Sequence, residues 1–376
     1  MIQLFRIGRW YESLNSAPVC ESSDLRVCLA PEIILRDDAR RRPPCHAVPE
    51  SRAIVEHAVE LFRFGTVRIG GIGAQSAEAF ETSMREVAGL PAVLTRRWGA
   101  LLADAVRALP DTGSKANTLV WLPSNTFTCL EAVAEAALAG GTVWVRPSRR
   151  EPVSAARLVG ALLAAGWPAD RIGFYPTLTE LLAVLVLLTD RQLVYGGAGL
   201  ATHAPDSSEF TVRGPGCGCA VVLANADPAA TADQLAELIA ADSGRFCRNV
   251  CTVACLGDPA PLAATLGELL DGIRLTPPDP RWPQASCSPT EAARAAAVVR
   301  CGLRSGDAVV TTREVIVTGD ETFLAPTLAR VNWAPDHPLL GCELAFPFAG
   351  IVGVSTDQAA RLTAASQFVY TVGGTS

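Results

Sequence analysis

The sequence predicts a two-domain α/β protein built on parallel sheet, and three observations carry that expectation. From residue 118 onward, short apolar runs alternate with helical stretches of about ten to fifteen residues, the pattern of βαβ units. Glycine and proline punctuate most of the expected element ends. The chain's 376 residues, 49% of them hydrophobic, exceed what one ordinary core holds.

Residues 1 to about 50 are poorly patterned. Their charged stretch Arg36-Asp37-Asp38-Ala39-Arg40-Arg41-Arg42-Pro43-Pro44 reads as a solvated surface loop. Residues 51–63 and 76–109 carry helical periodicity. Thr66-Val67-Arg68-Ile69-Gly70-Gly71-Ile72-Gly73 between them reads as a strand and a plain turn, because it lacks the glycine spacing of a phosphate loop. Next come the strand Thr118-Leu119-Val120-Trp121-Leu122, a helix over 127–139 and the strand Thr142-Val143-Trp144-Val145. A helix over 152–165 is closed by Gly166 and Pro168. Ile172-Gly173-Phe174-Tyr175, a helix over 178–188 and Gln192-Leu193-Val194-Tyr195 complete the first alternation. Ligands of such sheets bind beyond the carboxyl ends of the strands. Those ends are Pro123-Ser124-Asn125, Arg146-Pro147-Ser148, Pro176 and Gly196-Gly197.

A second alternation runs from Cys219-Ala220-Val221-Val222-Leu223 through a helix over 229–242 to a strand over 250–255. Helices over 259–271 and 289–300 and a strand over 308–317 follow. Arg213-Gly214-Pro215-Gly216 interrupts the pattern, so the expected domains are 1–213 and 214–376.

Net charge is −6 and the isoelectric point about 5.4. With no basic stripe, nucleic acid is not an expected partner. The longest apolar run, 181–188, is too short for a membrane span. Met1-Ile2-Gln3-Leu4-Phe5-Arg6 lacks the apolar core of a signal peptide, so the 12 cysteines are expected to be reduced thiols in the cytoplasm. Cys217-x-Cys219 and Cys247/Cys251/Cys255 could be drawn as a metal cluster. No Cys-x-x-Cys pair exists and only four histidines are present, so no metal is expected.

Gly244-Arg245-Phe246-Cys247 sits between a helical pattern and the run Val250-Cys251-Thr252-Val253. Such a junction exposes a sulfur, and backbone N–H groups with Arg245 and Arg248 are expected to favour the thiolate. The bland alternative is a buried, inert thiol.

Leu122-Pro123-Ser124-Asn125, Val145-Arg146-Pro147-Ser148, Ala165-Gly166-Trp167-Pro168 and Val194-Tyr195-Gly196-Gly197 are followed by Ala226-Asp227, Gly244-x-x-Cys247, Ala325-Pro326-Thr327-Leu328 and Glu343. In this order they resemble the Pro-Trp-Asn, Lys-Pro-Ser, Gly-Leu-Pro, Phe-Thr-Gly-Ser, Asp-Ala-Asp, Gly-Gln-x-Cys, Glu-Pro-Thr and Glu-x-Phe-Gly-Pro segments of the aldehyde dehydrogenase superfamily. The resemblance implies a Rossmann-type nucleotide-binding domain followed by an α/β catalytic domain. It implies Cys247 as nucleophile, with the Asn125 amide and the Cys247 backbone N–H as oxyanion donors. It also implies cofactor contacts from Pro123, Ser124, Arg146, Ser148, Arg149, Gly196, Gly197 and Glu343, the last on the nicotinamide ribose.

Departures from the family pattern refine the expectation. The position of the family's catalytic glutamate falls at or near Arg213, and Arg213-Gly214-Pro215-Gly216-Cys217-Gly218 contains no carboxylate. An acyl group on Cys247 would then resist water. With Tyr195-Gly196-Gly197, Gly214-Pro215 and Tyr370-Thr371-Val372-Gly373, this resembles the acyl-CoA reductase branch that includes the luminescence fatty acyl reductases. Arg146-Pro147-Ser148-Arg149-Arg150 suits a 2′-phosphate, so NADPH is expected over NADH. Glu343-Leu344-Ala345-Phe346-Pro347 departs from Glu-x-Phe-Gly-Pro, and only residues 344–376 follow Glu343. Either a shortened chain or an open substrate mouth is therefore expected, the latter suited to acyl-CoA or an acyl carrier protein. The resulting expectation is NADPH-dependent reduction of an acyl thioester to an aldehyde by a homo-oligomer. The alternatives are NAD(P)-dependent aldehyde oxidation and a non-redox acyl-transfer or scaffold protein.

Overall fold

The computed structural model describes residues 1–21, 23–43, 48–110, 116–196, 200, 202, 209–214, 216 and 218–373. The chain divides into two compact units, Met1–Gly214 and Pro215–Ser376, and each has its own parallel-sheet α/β core. Gly197, Pro215 and Cys217 lie outside the described residues.

In the first unit the strands stand in the order Glu209–Arg213, Arg191–Tyr195, Thr118–Trp121, Val143–Arg146, Ile172–Phe174, Leu4–Arg6 and Arg9–Tyr11. The first five are parallel, and the last two join antiparallel. After Thr118–Trp121 the chain builds outward through Val143–Arg146 and Ile172–Phe174, then returns to the other flank with Arg191–Tyr195. That reversal makes a topological switch point between Thr118–Trp121 and Arg191–Tyr195. Both central strands are buried throughout, as parallel strands covered on both faces must be. Over one face, Phe62, Phe80, Trp98 and Phe127 interlock edge to face.

In the second unit the order is Ala308–Val309, Thr327–Arg330, Phe348–Gly353, Val250–Cys255, Gly218–Val222 and Phe368–Val372, parallel except for the first pair. Period-2 alternation sends Val253, Cys255 and Ile351 to the face covered by Pro228–Ala240 and Ala260–Asp271. It sends Ala254 and Val352 to the face covered by Pro289–Gly302 and Thr356–Ala364. Side-chain caps start three of these helices: Asp227 accepts from Ala230 N–H, and Ser288 and Ser355 form capping boxes.

Several sequence expectations need correction. The helical pattern over 76–109 is two helices, Ala77–Ala88 and Ala92–Ala108. Gly89 ends the first in the left-handed region at φ 66°, and Pro91 precedes the second. The expected strand over 308–317 is broken, because Asp271 draws the N–H groups of Thr312 and Arg313 out of the ladder. Val315–Thr318 instead forms a hairpin with Glu321–Leu324. The charged stretch near residue 40 is not simply a solvated loop. Glu32–Arg40 is a helix. Its Asp38 is buried, accepts from Arg6, and accepts from Tyr175 Oη at 2.8 Å. These partners are distant in sequence, so local pattern could not reveal them.

Asp38 thus fastens the leading strands to the sheet. Asp38→Ala is expected to lower the unfolding free energy by about 2–4 kcal/mol in urea denaturation, because Arg6 and Tyr175 lose a shared buried acceptor. Arg36→Ala, on the exposed side of the same helix, is expected to cost about 0.5 kcal/mol or less.

Candidate active site

Each unit brings together part of the expected site. In the first, a cavity of about 520 Å³ is lined by Ser124, Arg146, Ser148, Arg149 and Arg150, and also by Glu21. Ser124 follows the carboxyl end of Thr118–Trp121, and Arg146 ends Val143–Arg146 with Ser148, Arg149 and Arg150 just beyond it. Arg146 is buried, with its guanidinium 3.7 Å from the Trp121 ring centroid and donating to the Thr177 carbonyl at 2.9 Å. Burial and the neighbouring Arg149 push its pKa down to about 9. Such a lowered value marks a cation short of negative partners. Ser148 Oγ accepts from the Arg150 N–H at 3.2 Å and shapes the turn. Pro123 and Asn125 are half-buried beside Ser124 at the switch point. Gly196 follows the strand Arg191–Tyr195, and its N–H donates to the Arg213 carbonyl at 3.3 Å. Pro123, Asn125 and Gly196 are not among the residues that line the cavity.

Arg213 ends the edge strand of this sheet. Its guanidinium donates to Glu135 at 2.6 Å and to Tyr195 Oη at 3.0 Å. Although burial works against it, Arg213 together with Arg191 holds the Glu135 carboxyl below the usual range. This position is a cation locked into an ion-pair network, which sequence spacing did not reveal.

In the second unit, Cys247 is exposed on a tightly built loop. Asp242, Ser243 and Gly244 adopt successive left-handed conformations at φ 54°, 60° and 64°. For Asp and Ser such geometry persists only when the surroundings hold it. Here Asp242 is buried and ion-paired to Arg248 at 3.6 Å, and Ser243 Oγ accepts from the Ala285 N–H at 2.9 Å. A Cβ on Gly244 would come 2.5 Å from the Pro347 nitrogen. Asn249 closes the loop, accepting from the Phe246 N–H at 2.8 Å and donating to the Leu238 and Ala241 carbonyls at 3.0 Å each.

Loss of surrounding water and the charge of Glu343 push the Cys247 thiol up from its ordinary value. Arg248 and the backbone N–H groups of Cys247 and Arg248 oppose that shift. The Glu343 carboxyl is itself raised by loss of water, and the Gly216 N–H works against that rise. Tyr370 Oη donates to the Arg248 carbonyl at 3.0 Å.

Two expectations change here. Arg245 does not support the thiolate: it is buried and donates to the Ser286 carbonyl at 3.3 Å, leaving Arg248 as the neighbouring cation. The thiol is raised where sequence reasoning expected it lowered. Asp242, Gly216 and Asn249 were missed as parts of the loop, although the run Asp242-Ser243-Gly244 is a turn signature. Among the described residues, no group of three His, Cys, Asp or Glu is placed to hold a metal ion. No described helix is long and apolar enough to cross a membrane.

No protein-family model and no curated protein matches the chain by sequence. Solved structures do match. Lactaldehyde dehydrogenase from Escherichia coli aligns over 98% of this chain and 86% of its own, at 16% identity and a TM-score of 0.81. An NAD-dependent aldehyde dehydrogenase from Sinorhizobium meliloti aligns over 100% and 83%, at 17% identity and 0.80. An NADP-dependent glyceraldehyde-3-phosphate dehydrogenase from Bacillus halodurans, complexed with NADP, aligns over 98% and 86%, at 18% identity and 0.76. The chain therefore has the two-part α/β fold of aldehyde dehydrogenases.

The opposing charges at Cys247 yield a pH prediction. The rate of Cys247 alkylation by iodoacetamide should rise with a midpoint above the ordinary thiol range. Arg248→Ala removes the cation that favours the thiolate, so the midpoint moves further up. Alkylation at neutral pH should then slow by about three- to tenfold, measured by quenched mass spectrometry.

Proposed function

We propose that this protein is a nicotinamide-nucleotide-dependent oxidoreductase that oxidises an aldehyde through an acyl group carried on Cys247. The observation that carries this reading is the Cys247 loop: an exposed cysteine at a backbone turn held by Asp242, Ser243 and Asn249, within this fold. Such investment in one exposed thiol suits a nucleophile better than an inert core cysteine. The names of the solved structures above support the direction.

The residues present fit a nicotinamide nucleotide. The cationic cavity of the first unit offers Ser124, Ser148, Arg146 and Arg149 to a phosphate-bearing ligand. When bound, the nucleotide supplies a hydride acceptor or donor. For the adenosine side we propose NADP(H) over NAD(H), because Arg149 and Arg150 stand where a carboxylate would repel a 2′-phosphate. At the sulfur, Arg248 and two backbone N–H groups stabilise negative charge as the carbonyl carbon is attacked. For Asn125 we propose donation to the resulting oxyanion.

A second reading, reduction of an acyl thioester by a chain of the acyl-CoA reductase type, is favoured by Arg213. Its guanidinium is committed to Glu135 and Tyr195, so that position offers no base for water. A coenzyme A or acyl-carrier-protein thioester would be its substrate.

Turnover distinguishes them. Wild type should reduce NADP with an aldehyde and no added thiol, and Cys247→Ala should lose about 10³-fold or more of kcat. Turnover only with NADPH and an acyl thioester would select the second reading. Binding titrations of Arg149→Glu should show NADP weakened by about tenfold or more, with NAD little changed.

A further inference from the structure

One glycine touches both Cys247 and Glu343. A Cβ built on Gly216 would come 2.0 Å from the Cys247 Cβ, while the Gly216 N–H acts on the Glu343 carboxyl and favours its charged form. The segment bearing Glu343 is pinned on both sides. Before it, the Gly341 N–H donates to Thr252 Oγ1 at 2.8 Å, on the strand that follows Cys247. After it, Pro347 abuts Gly244. Glu343 is thus set beside Cys247 by backbone contacts. Arg248, held by Asp242, and Tyr370 also face the thiol. Among the described residues that act electrostatically on Cys247, Glu343 is the one carboxylate.

We propose that Glu343 is the proton acceptor for Cys247. As the sulfur bonds to a carbonyl carbon, the carbonyl π pair moves onto oxygen and the S–H proton passes through an intervening water to the Glu343 carboxylate. The step is an addition with no change of oxidation state. The carboxyl can afterwards return the proton to a departing thiolate or alkoxide. A carboxylate beside a thiol opposes the free thiolate, so the sulfur keeps its proton until attack. A carboxyl raised by loss of water is also a better base than a solvated one. This role differs from the ribose contact that the sequence resemblance implies for Glu343. It rests on Cys247 as nucleophile in the reading above, not on the nicotinamide.

The test compares wild type with Glu343→Gln, which keeps the side chain's shape, using two probes that need no nucleotide. The first is alkylation of Cys247 by iodoacetamide, which reports the thiolate. The second is the p-nitrophenolate burst from p-nitrophenyl acetate, which reports acylation. Removing the opposing charge should lower the thiol pKa and speed alkylation at neutral pH. Removing the acceptor should slow the acylation burst by about 10²-fold or more. Alkylation up with acylation down supports the proposal, and the faster alkylation shows that the loop is intact. Unchanged acylation, with or without weaker nucleotide binding, overturns it. A fall in both rates overturns it too, because Glu343 would then be supporting the loop and not taking a proton. Absence of nucleotide-dependent turnover in wild type would sink the oxidoreductase reading without touching this result.

Discussion

The site in the second unit depends on the parallel pairing of Val250–Cys255 between Gly218–Val222 and Phe348–Gly353. Three parallel strands that start side by side bring the residues before them to one edge of the sheet. Gly216, Cys247 and Glu343 precede the three strands in turn, so strand direction alone collects them from positions spread over more than a hundred residues. The central strand is buried at all six positions, and a slip of one residue would turn Val253 and Ala254 to the wrong faces. Register, core and site are therefore set together.

Against that rigid background the chemistry is a balance of weak opposing fields. Loss of water and Glu343 hold the Cys247 thiol protonated, whereas Arg248 and two backbone N–H groups prepare for its charge. Buried Asp242 keeps Arg248 at the loop. The first unit shows the complementary arrangement. There Arg146 is buried against Trp121, ion-paired to no carboxylate among the described residues, and lines a cavity with further arginines and Glu21. Such a surface invites an anion, whereas Arg213 on the edge strand is already ion-paired to Glu135.

The βαβ alternation was legible because apolar runs, glycines and prolines act locally. The strands at 118, 143, 172, 191 and 250 follow directly from the pattern. Cys247 was legible for the same reason, as a thiol at a helix-to-strand junction. What stayed hidden is long-range. Asp38 looked like part of a solvated loop because Arg6 and Tyr175 are distant in sequence. Arg245 and Arg248 look equivalent from spacing, yet the fold buries one and leaves the other beside the sulfur. The proximity of Glu343 to Cys247 depends on the order of strands in the sheet, which no local window contains.

The measurement that bears most directly on this account is intact-protein mass followed by peptide mapping after exposure to an activated acyl donor. The account predicts a single acyl group on the peptide that carries Cys247, and its loss in Cys247→Ala. An adduct on another cysteine, or none on a folded protein, would contradict it.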